Sequence, residues 1–506
     1  MNAEQVGRPA QLRELFTDVV LEAGMQVPDI AITDITTDSQ RVTSGALFMA
    51  CRGTRQHGLE FAANAVAGGA AAIAWEPDDA LVQPELPDTV VNFAVPNLGD
   101  QVGQIADRFF AKPSEHADVI GVTGTNGKTT TAWLVNNALD QLGRTSGYMG
   151  TLGFGVGTDL SPSALTTPGV ISVHRRLRQM VDAGADTVVM EVSSHGLDQG
   201  RIDAVNVVTA AFTNLSRDHL DYHGSLEAYK QAKARLFSHA SVQAAVINIG
   251  DEFGGELAAT ASSSIKVITV AVSGAGAPAS APDVLADVLA TDSAGMTLRL
   301  SGKYGHAEMH SPLWGHFNAE NIVVAIGVLL VHGYSLDAAA DALQLCGAPD
   351  GRMQVLGSGA DAPLVVVDFA HTPDALSKAI EVVREHCSGS VTVVFGCGGE
   401  RDKGKRGEMG SAASRLANRI IVTDDNPRNE DPQVIVKEIL AGFADGAAVE
   451  VEHDRARAIE SAIAAAQPGD AVLVAGKGSE NYQLAAGRAL PFSDVAVAAA
   501  VLGGAS

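Results

Sequence analysis

Apolar residues in this chain fall into short, β-branched runs, each followed by a polar or glycine-rich loop and then by apolar positions at helical spacing. The run Asp118-Val119-Ile120-Gly121-Val122-Thr123 reads as a short buried strand. After it, Thr129 to Leu142 places Leu134, Val135, Ala138, Leu139 and Leu142 on one helical face. Strands are predicted at Thr187–Val192, Val207–Thr213 and Ala244–Ile249, alternating with helices as in a parallel sheet. Between Ala258 and Leu313 the texture changes to Ala, Ser, Gly and Val with short alternating runs, which predicts an antiparallel excursion or surface insertion. Ile322 to Val331 is too short to span a bilayer and reads as a buried helix. Upstream, Ala46–Ala50 is a strand between the polar loops Thr36-Thr37-Asp38-Ser39 and Arg52-Gly53-Thr54. Ala111-Lys112-Pro113-Ser114 reads as a linker whose proline ends the preceding helix. A further α/β unit starts near Gly351, with strands at Leu364–Phe369, Val391–Gly396, Arg419–Asp424 and Ala471–Ala475. The pattern predicts an α/β protein of three units.

The loop between the first strand and helix is Gly124-Thr125-Asn126-Gly127-Lys128-Thr129-Thr130. Strand, glycine loop and helix in that order suit a polyphosphate. Backbone N–H groups at the helix N-terminus face the anion, Lys128 adds a charge, and Thr129 can hold Mg²⁺ through its hydroxyl. The general phosphate-loop pattern wants Gly where this chain has Val122. A bland glycine turn explains two glycines but not Gly-Lys-Thr-Thr between these two elements.

Length supports the three-unit reading, since 506 residues exceed one ordinary core. The net charge of −24 argues against broad nucleic-acid binding. It does not exclude a phosphorylated ligand, because charges are screened over about 8 Å at physiological salt. The four cysteines, Cys51, Cys346, Cys387 and Cys397, form neither a disulfide framework nor a zinc motif. Met1 to Pro28 lacks a basic stretch followed by an apolar one, so a cytoplasmic protein without membrane insertion is expected.

In open parallel sheets ligands sit beyond the carboxyl ends of strands. In the last unit those ends carry Asp368-Phe369-Ala370-His371, Gly398 to Gly404, Asp425-Asn426-Pro427-Arg428 and Gly476-Lys477-Gly478-Ser479-Glu480, which predicts a ligand face. In the middle unit Glu191 and His219 end neighbouring predicted strands and could complete a Mg²⁺ site, although Mg²⁺ prefers oxygen to imidazole.

Taken together these segments resemble the Mur ligase family. The resemblance rests on GTNGKTT at 124–130, TTP at 166–168, EVSSHGL at 191–197, NLSRDHLDYHG at 214–224, QAKARLF at 231–237, GHFNAEN at 315–321, GRMQ at 351–354, DFAHTPDAL at 368–376, CGGERDKGKR at 397–406, DNPRNEDP at 425–432 and AGKGSENYQ at 475–483. It implies a UDP-binding N-terminal domain (1–112), a central ATP-binding phosphate-loop domain (113–348) and a C-terminal Rossmann-like domain that brings the amino acid (349–506). It further implies an ATP-dependent amide ligase of peptidoglycan synthesis, working through an acyl phosphate and releasing ADP and phosphate.

Carried over by motif position, Gly124 to Thr130 would hold the phosphates, and Thr129, Glu191 and His219 would serve Mg²⁺. Lys233 resembles the lysine that the family converts to a carbamate. Lys128, Lys233, His219 and Glu191 would thus form the catalytic group. Thr37, Ser39, Thr166, Thr167, Ser193, Gln199 and Arg201 would contact UDP-N-acetylmuramoyl-L-alanyl-D-glutamate. Asn318, Asn321, Arg352, Asp368 and His371 would surround the ATP base and ribose. Asp425-Asn426-Pro427-Arg428 looks like the motif associated with meso-diaminopimelate, with Arg401, Gly476 and Glu480 completing that pocket. A distal carboxylate suits a bidentate arginine, whereas lysine would bring an ammonium against Arg428. Ser479 and Phe369 depart from the His and Tyr usual in relatives. A monomer is expected. The alternatives are folylpolyglutamate synthase, the D-alanyl-D-alanine-adding ligase, and a nucleotide-binding regulator. The DNPR loop disfavours the first two, and the intact Thr129, Glu191, His219 and Lys233 set disfavours the third.

Overall fold

A computed structural model describes residues 9–19, 21, 27–53, 56–78, 86–261, 263–274, 276, 280–292, 294–359, 362–443 and 449–503. Thr54 of the second polar loop lies outside them. The chain packs as two compact units: Met1–Gly121 with Gly143–Ala210 and Ser238–Val242, and Val122–Leu142 with Ala211–Phe237 and Gln243–Ser506.

In the first unit a parallel sheet orders its strands as Asp34–Thr36, Ala46–Ala50, Ala72–Trp75 and Val91–Ala94. Ala46–Ala50 is apolar and buried throughout, as an inner strand covered on both faces must be. The helix Leu98–Phe109 lays Leu98, Val102, Ile105 and Phe109 on one side of that sheet with Leu12, Leu15 and Phe16. Pro113 does not end this helix. Ala111 and Lys112 turn left-handed, the Lys112 amide closes onto Asp107 O at 2.7 Å, and Pro113 opens the next short turn. The same unit holds an antiparallel meander of Ser146–Gly150, Gly153–Val156 and Asp159–Ser161, with Thr187–Glu191 parallel to its first strand. The sequence pattern does not reveal the meander because its strands are glycine-rich and lack a β-branched run.

In the second unit the helix Lys128–Gln141 follows the glycine loop, and His316–Val331 is buried on nearly every face. Ala244–Asn248, Lys266–Val272 and Val284–Asp292 pair in parallel, then Gly295–Gly302 and Gly305–Ser311 continue antiparallel. The predicted excursion is therefore antiparallel only from Val284–Asp292 onward; Lys266–Val272 extends the parallel sheet instead.

The chain after Gly351 forms a sheet in the order Gln354–Gly359, Ala362–Asp368, Ala471–Ala475, Val391–Phe395, Arg419–Val422 and Val449–Val451, parallel except for its first strand. Leu376, Ile380, Val383, Met409 and Ile439 pack on one face, and Ile459, Ile463 and Ala498 on the other. Helices on both faces explain why Val391–Phe395 and Ala471–Ala475 are wholly apolar apart from Thr392. The hairpin Tyr482–Ala485 and Arg488–Pro491 follows Ala471–Ala475 along the chain. Among the described residues no helix is long and apolar enough to cross a membrane.

Candidate active site

The glycine loop is built for close backbone approach. Gly124 and Gly127 adopt φ of 153° and 83°, and a Cβ at either would lie 1.9 Å from Thr213 Oγ1 or 2.1 Å from Asn321 Oδ1. Thr125 N donates to Asn214 O at 2.8 Å, Asn126 N to Asn214 Oδ1 at 3.0 Å, and Thr213 Oγ1 to Asn126 O at 2.6 Å. These bonds clamp the loop to the end of strand Val207–Phe212. Lys128 Nζ donates to the Gly124 and Thr125 carbonyls at 2.9 and 2.8 Å, which keeps its ammonium over the loop.

Lys233, on helix Leu226–Ala234, reaches the same place. Its Nζ donates to Gly124 O at 2.7 Å and lies 4.4 Å from the Tyr229 ring centre, with the side chain fully buried. Burial first, then the nearby Lys128 charge, pushes its pKa well below the ordinary lysine value, against the pull of Asp218. Thr125 Oγ1 completes the floor with Tyr229 Oη at 3.2 Å and the Ser216 amide at 2.9 Å.

Asp218 is buried, with His219 Nε2 3.4 Å and His371 Nε2 4.0 Å from its Oδ2. Burial raises the Asp218 pKa, but His219, His371 and Lys405 together lower it below the usual carboxylate range. His371 is pushed down to about 4 by burial and by Lys405. Arg352 NH2 donates to Thr129 Oγ1 at 3.0 Å and stacks 4.2 Å over the Phe369 ring. A phenyl face serves that cation–π contact as a phenol would, which accounts for the departure at 369. Asp368 accepts from the Met353 and Ala370 amides at 2.8 and 2.9 Å. Asn321 bonds Asn318 at 2.8 Å and Thr131 at 3.3 Å. The structure thus gathers Lys128, Thr129, Lys233, Asn321 and Arg352 around one loop.

In the other unit, Glu191 is buried at the end of strand Thr187–Glu191. Its Oε1 accepts from Tyr148 Oη at 2.6 Å and from Thr151 N at 2.7 Å. Thr167 Oγ1 donates to Glu191 O at 2.9 Å and accepts from Ser193 N at 3.0 Å; Thr166 Oγ1 lies 3.0 Å from Thr151 Oγ1. Ser193 also caps the helix Ser194–Asp198. Arg201 donates to Gln199 Oε1 at 2.6 Å and to Thr167 O at 2.7 Å. Thr37 is exposed and Ser39 half-buried beside the 3₁₀ turn that Asp38 caps. Sequence reasoning missed Tyr148, whose hydroxyl orients Glu191 across the sheet, because no local pattern links positions 43 residues apart.

At the carboxyl ends of the C-terminal sheet, Asn426 Nδ2 donates to Glu480 Oε2 at 2.8 Å. Lys477, fully buried, donates to the same oxygen at 2.8 Å and to Asn426 Oδ1 at 3.1 Å. Asp425 is buried beside Gly476, where a Cβ would lie 2.6 Å from its Oδ2. Arg428 adopts φ 56°, donates through NH1 to Gly399 O at 2.8 Å, and is lowered in pKa by burial and by Arg401. Sequence reasoning placed Lys477 in the predicted ligand face but gave it no role, and its bonds to Glu480 and Asn426 are what the structure adds. Among the described residues the Ser479 hydroxyl makes no hydrogen bond, and nothing in the structure explains that substitution.

A phosphate loop with a buried lysine against it, joined to a doubly wound sheet with charged strand ends, matches known proteins along its length. Residues 31–110 match the Mur ligase family catalytic domain, 122–329 the Mur ligase middle domain, and 351–478 the Mur ligase glutamate ligase domain. The chain belongs to the Mur ligase family, whose members are ATP-dependent amide ligases. It is 45% identical over 495 residues to UDP-N-acetylmuramoyl-L-alanyl-D-glutamate–2,6-diaminopimelate ligase of Xylella fastidiosa, covering 98% of both chains. The ligase of the same name from Ectopseudomonas mendocina is 46% identical, over 92% of this chain and 94% of its own. A solved structure of a ligase with that name superposes with a TM-score of 0.68 at 34% identity, covering 98% of this chain and 99% of the other.

Proposed function

We propose that this chain joins meso-diaminopimelate to the D-glutamate of UDP-N-acetylmuramoyl-L-alanyl-D-glutamate at the cost of ATP. The observation that carries the acceptor half is the loop cluster where Arg428 stands close enough to Arg401 to be repelled by it, beside Asn426 and Glu480. Two guanidinium groups favour an acceptor whose far end is a carboxylate, and Glu480 offers its amine an anion. Asp425, Pro427 and Gly476 shape the same pocket. The shared name of the relatives supports this choice.

A carboxylate is a poor electrophile because its leaving group would be oxide. Transfer of the γ-phosphoryl group to a carboxylate oxygen gives an acyl phosphate and ADP. The acceptor nitrogen then attacks the acyl carbon and loses a proton, and the carbon–oxygen bond breaks to release phosphate. Both steps crowd anions together, which is the task assigned to Lys128 and the loop amides of Gly124 to Thr130. Asn318, Asn321, Arg352, Asp368 and His371 would hold the base and ribose. Thr37, Ser39, Thr166, Thr167, Ser193, Gln199 and Arg201 would hold the UDP-linked dipeptide. The domain limits 1–112, 113–348 and 349–506 belong to this reading, as do a cytoplasmic setting and a monomer.

Among the described residues no group of three or more His, Cys, Asp or Glu side chains is placed to hold a metal ion by itself. Mg²⁺ in phosphoryl-transfer sites is held by one or two protein oxygens plus the phosphates, and Thr129 in one unit and Glu191 in the other each carry an oxygen of the kind that would serve it. His219 would be the weaker, nitrogen donor. Mg²⁺, when bound, would neutralise phosphate charge. The lowered pKa of Lys233 favours the neutral amine, the form that can add to CO₂, its nitrogen bonding the carbon as one proton leaves, and the resulting carbamate would place an anion beside the nucleotide.

Product mass after incubation with ATP, Mg²⁺, the UDP-linked dipeptide and either meso-diaminopimelate or L-lysine tests the proposal. A diaminopimelate adduct is expected, and Arg428→Ala should cut kcat/KM for that acceptor by about 10²-fold or more, since a site built around a polar partner discriminates strongly. A preference for lysine would sink the specificity argument, and no adduct with either would sink the ligase reading.

A further inference from the structure

The two pocket arginines stand on separate irregular segments, Arg401 within 398–403 and Arg428 within 425–430. What ties the segments together is Arg406, fully buried on the helix Gly404–Leu416. Its NH1 and NH2 donate to Glu430 Oε1 and Oε2, both at 2.8 Å, and NH2 also reaches Gly398 O at 3.2 Å. Glu438 accepts from NH1 at 2.6 Å. The Glu430 carboxylate in turn accepts from the Glu400 amide at 3.0 Å and pairs with Lys403 at 3.0 Å. Gly399 N donates to Asn426 O at 2.9 Å, and a Cβ on Gly399 would lie 2.0 Å from Pro427 O, so the segments touch backbone to backbone.

We propose that Arg406 and Glu430 are positioning residues of the acceptor pocket, a bidentate pair that fixes the spacing of Arg401 and Arg428. The inference rests on the acceptor site proposed above. Arg406 is spent on Glu430, Glu438 and Gly398, so it acts through the loops. Glu430 is two residues from Arg428 and its carboxylate holds the amide next to Arg401, so one side chain sets both positions. A planar fork on a carboxylate fixes angle as well as distance, and a lysine ammonium in its place fixes neither.

The test uses the full chain with Arg406→Lys and, in case that variant fails to fold, Glu430→Gln. Kinetics for all three substrates are measured with melting temperature and hydrogen exchange of the amides in 398–403 and 425–430. The expected result is a rise in KM for meso-diaminopimelate of roughly tenfold to a hundredfold, the scale of a small misplacement of binding groups. KM for ATP and for the UDP-linked dipeptide should stay unchanged, exchange should speed up in both segments, and either change should add little on top of Arg428→Ala. An unchanged acceptor KM overturns the proposal. So does an equal rise in all three KM values with a lower melting temperature, which marks a general structural role. If the unaltered chain makes no diaminopimelate product, the proposed function has failed. Exchange then decides alone: segments that open in the variants keep the positioning pair, and segments equally protected overturn it.

Discussion

Two fully buried lysines in the second unit have opposite surroundings. Lys477 meets a carboxylate: its Nζ is shared between Glu480 and Asn426. Lys233 meets a neutral carbonyl, an aromatic face and a second cation, and its pKa falls accordingly. The same residue type at the same depth is thus held by a carboxylate at the carboxyl ends of the C-terminal sheet and, at the phosphate loop, by a carbonyl that offers no countercharge. Burial raises the cost of a charge, and a nearby carboxylate offsets that cost where a carbonyl and a second cation do not.

The sharpest way to break the contrast is Lys233→Met. If the neutral amine and its CO₂ adduct matter to phosphoryl transfer, kcat should fall by about 10²-fold or more, the scale of losing one electrostatic stabiliser. Steady-state kinetics with and without added bicarbonate, beside intact mass of the unaltered chain, reads this out. Retained kcat would return Lys233 to a packing role. Next comes Lys477→Met, which leaves the Glu480 carboxylate without its cation. It should cost about 3 kcal/mol in denaturant unfolding, as removal of one member of a buried pair does.

The smallest effect carries the opposite sign. In the folded chain Lys233 has a pKa far below its unfolded value, so the unfolded chain binds more protons at neutral pH. The penalty is absent above the ordinary lysine value of about 10.4 and grows as pH falls toward the folded pKa. In CO₂-free buffer Lys233→Met should therefore stabilise the chain at neutral pH, and the gain should vanish on raising the pH past that value. Unfolding curves across pH check it. Destabilisation by Lys233→Met at neutral pH would show that the amine is charged and paired after all.

The same contrast marks how far the sequence could be read. Lys233 was legible because QAKARLF sits at a recognisable place in a series of motifs, and the strand, loop and helix around Lys128 follow from local pattern alone. The strand ends of the C-terminal sheet were legible too, since apolar runs stop abruptly at polar loops. Lys477 was legible as part of that ligand face, but its partners were not, because Asn426 lies 51 residues away in the chain. Tyr148 on Glu191 and Arg406 on Glu430 were hidden for the same reason. The meander after Gln141 was hidden for another: its glycines carry no period-two signal. The linker at Pro113 was misread because two left-handed residues, not the proline, stop the helix.

The hairpin at Tyr482–Ala485 grips position 428 by main chain only: Arg428 N donates to Leu484 O at 2.8 Å, and Ala486 N to Arg428 O at 2.7 Å. Main-chain bonds on both sides of Arg428 thus hold the segment, and the side chain adds its own bond to Gly399 O across the neighbouring loop. Under the proposed function, a substitution at position 428 would change the chemistry offered to the acceptor while both main-chain bonds to the hairpin stay available.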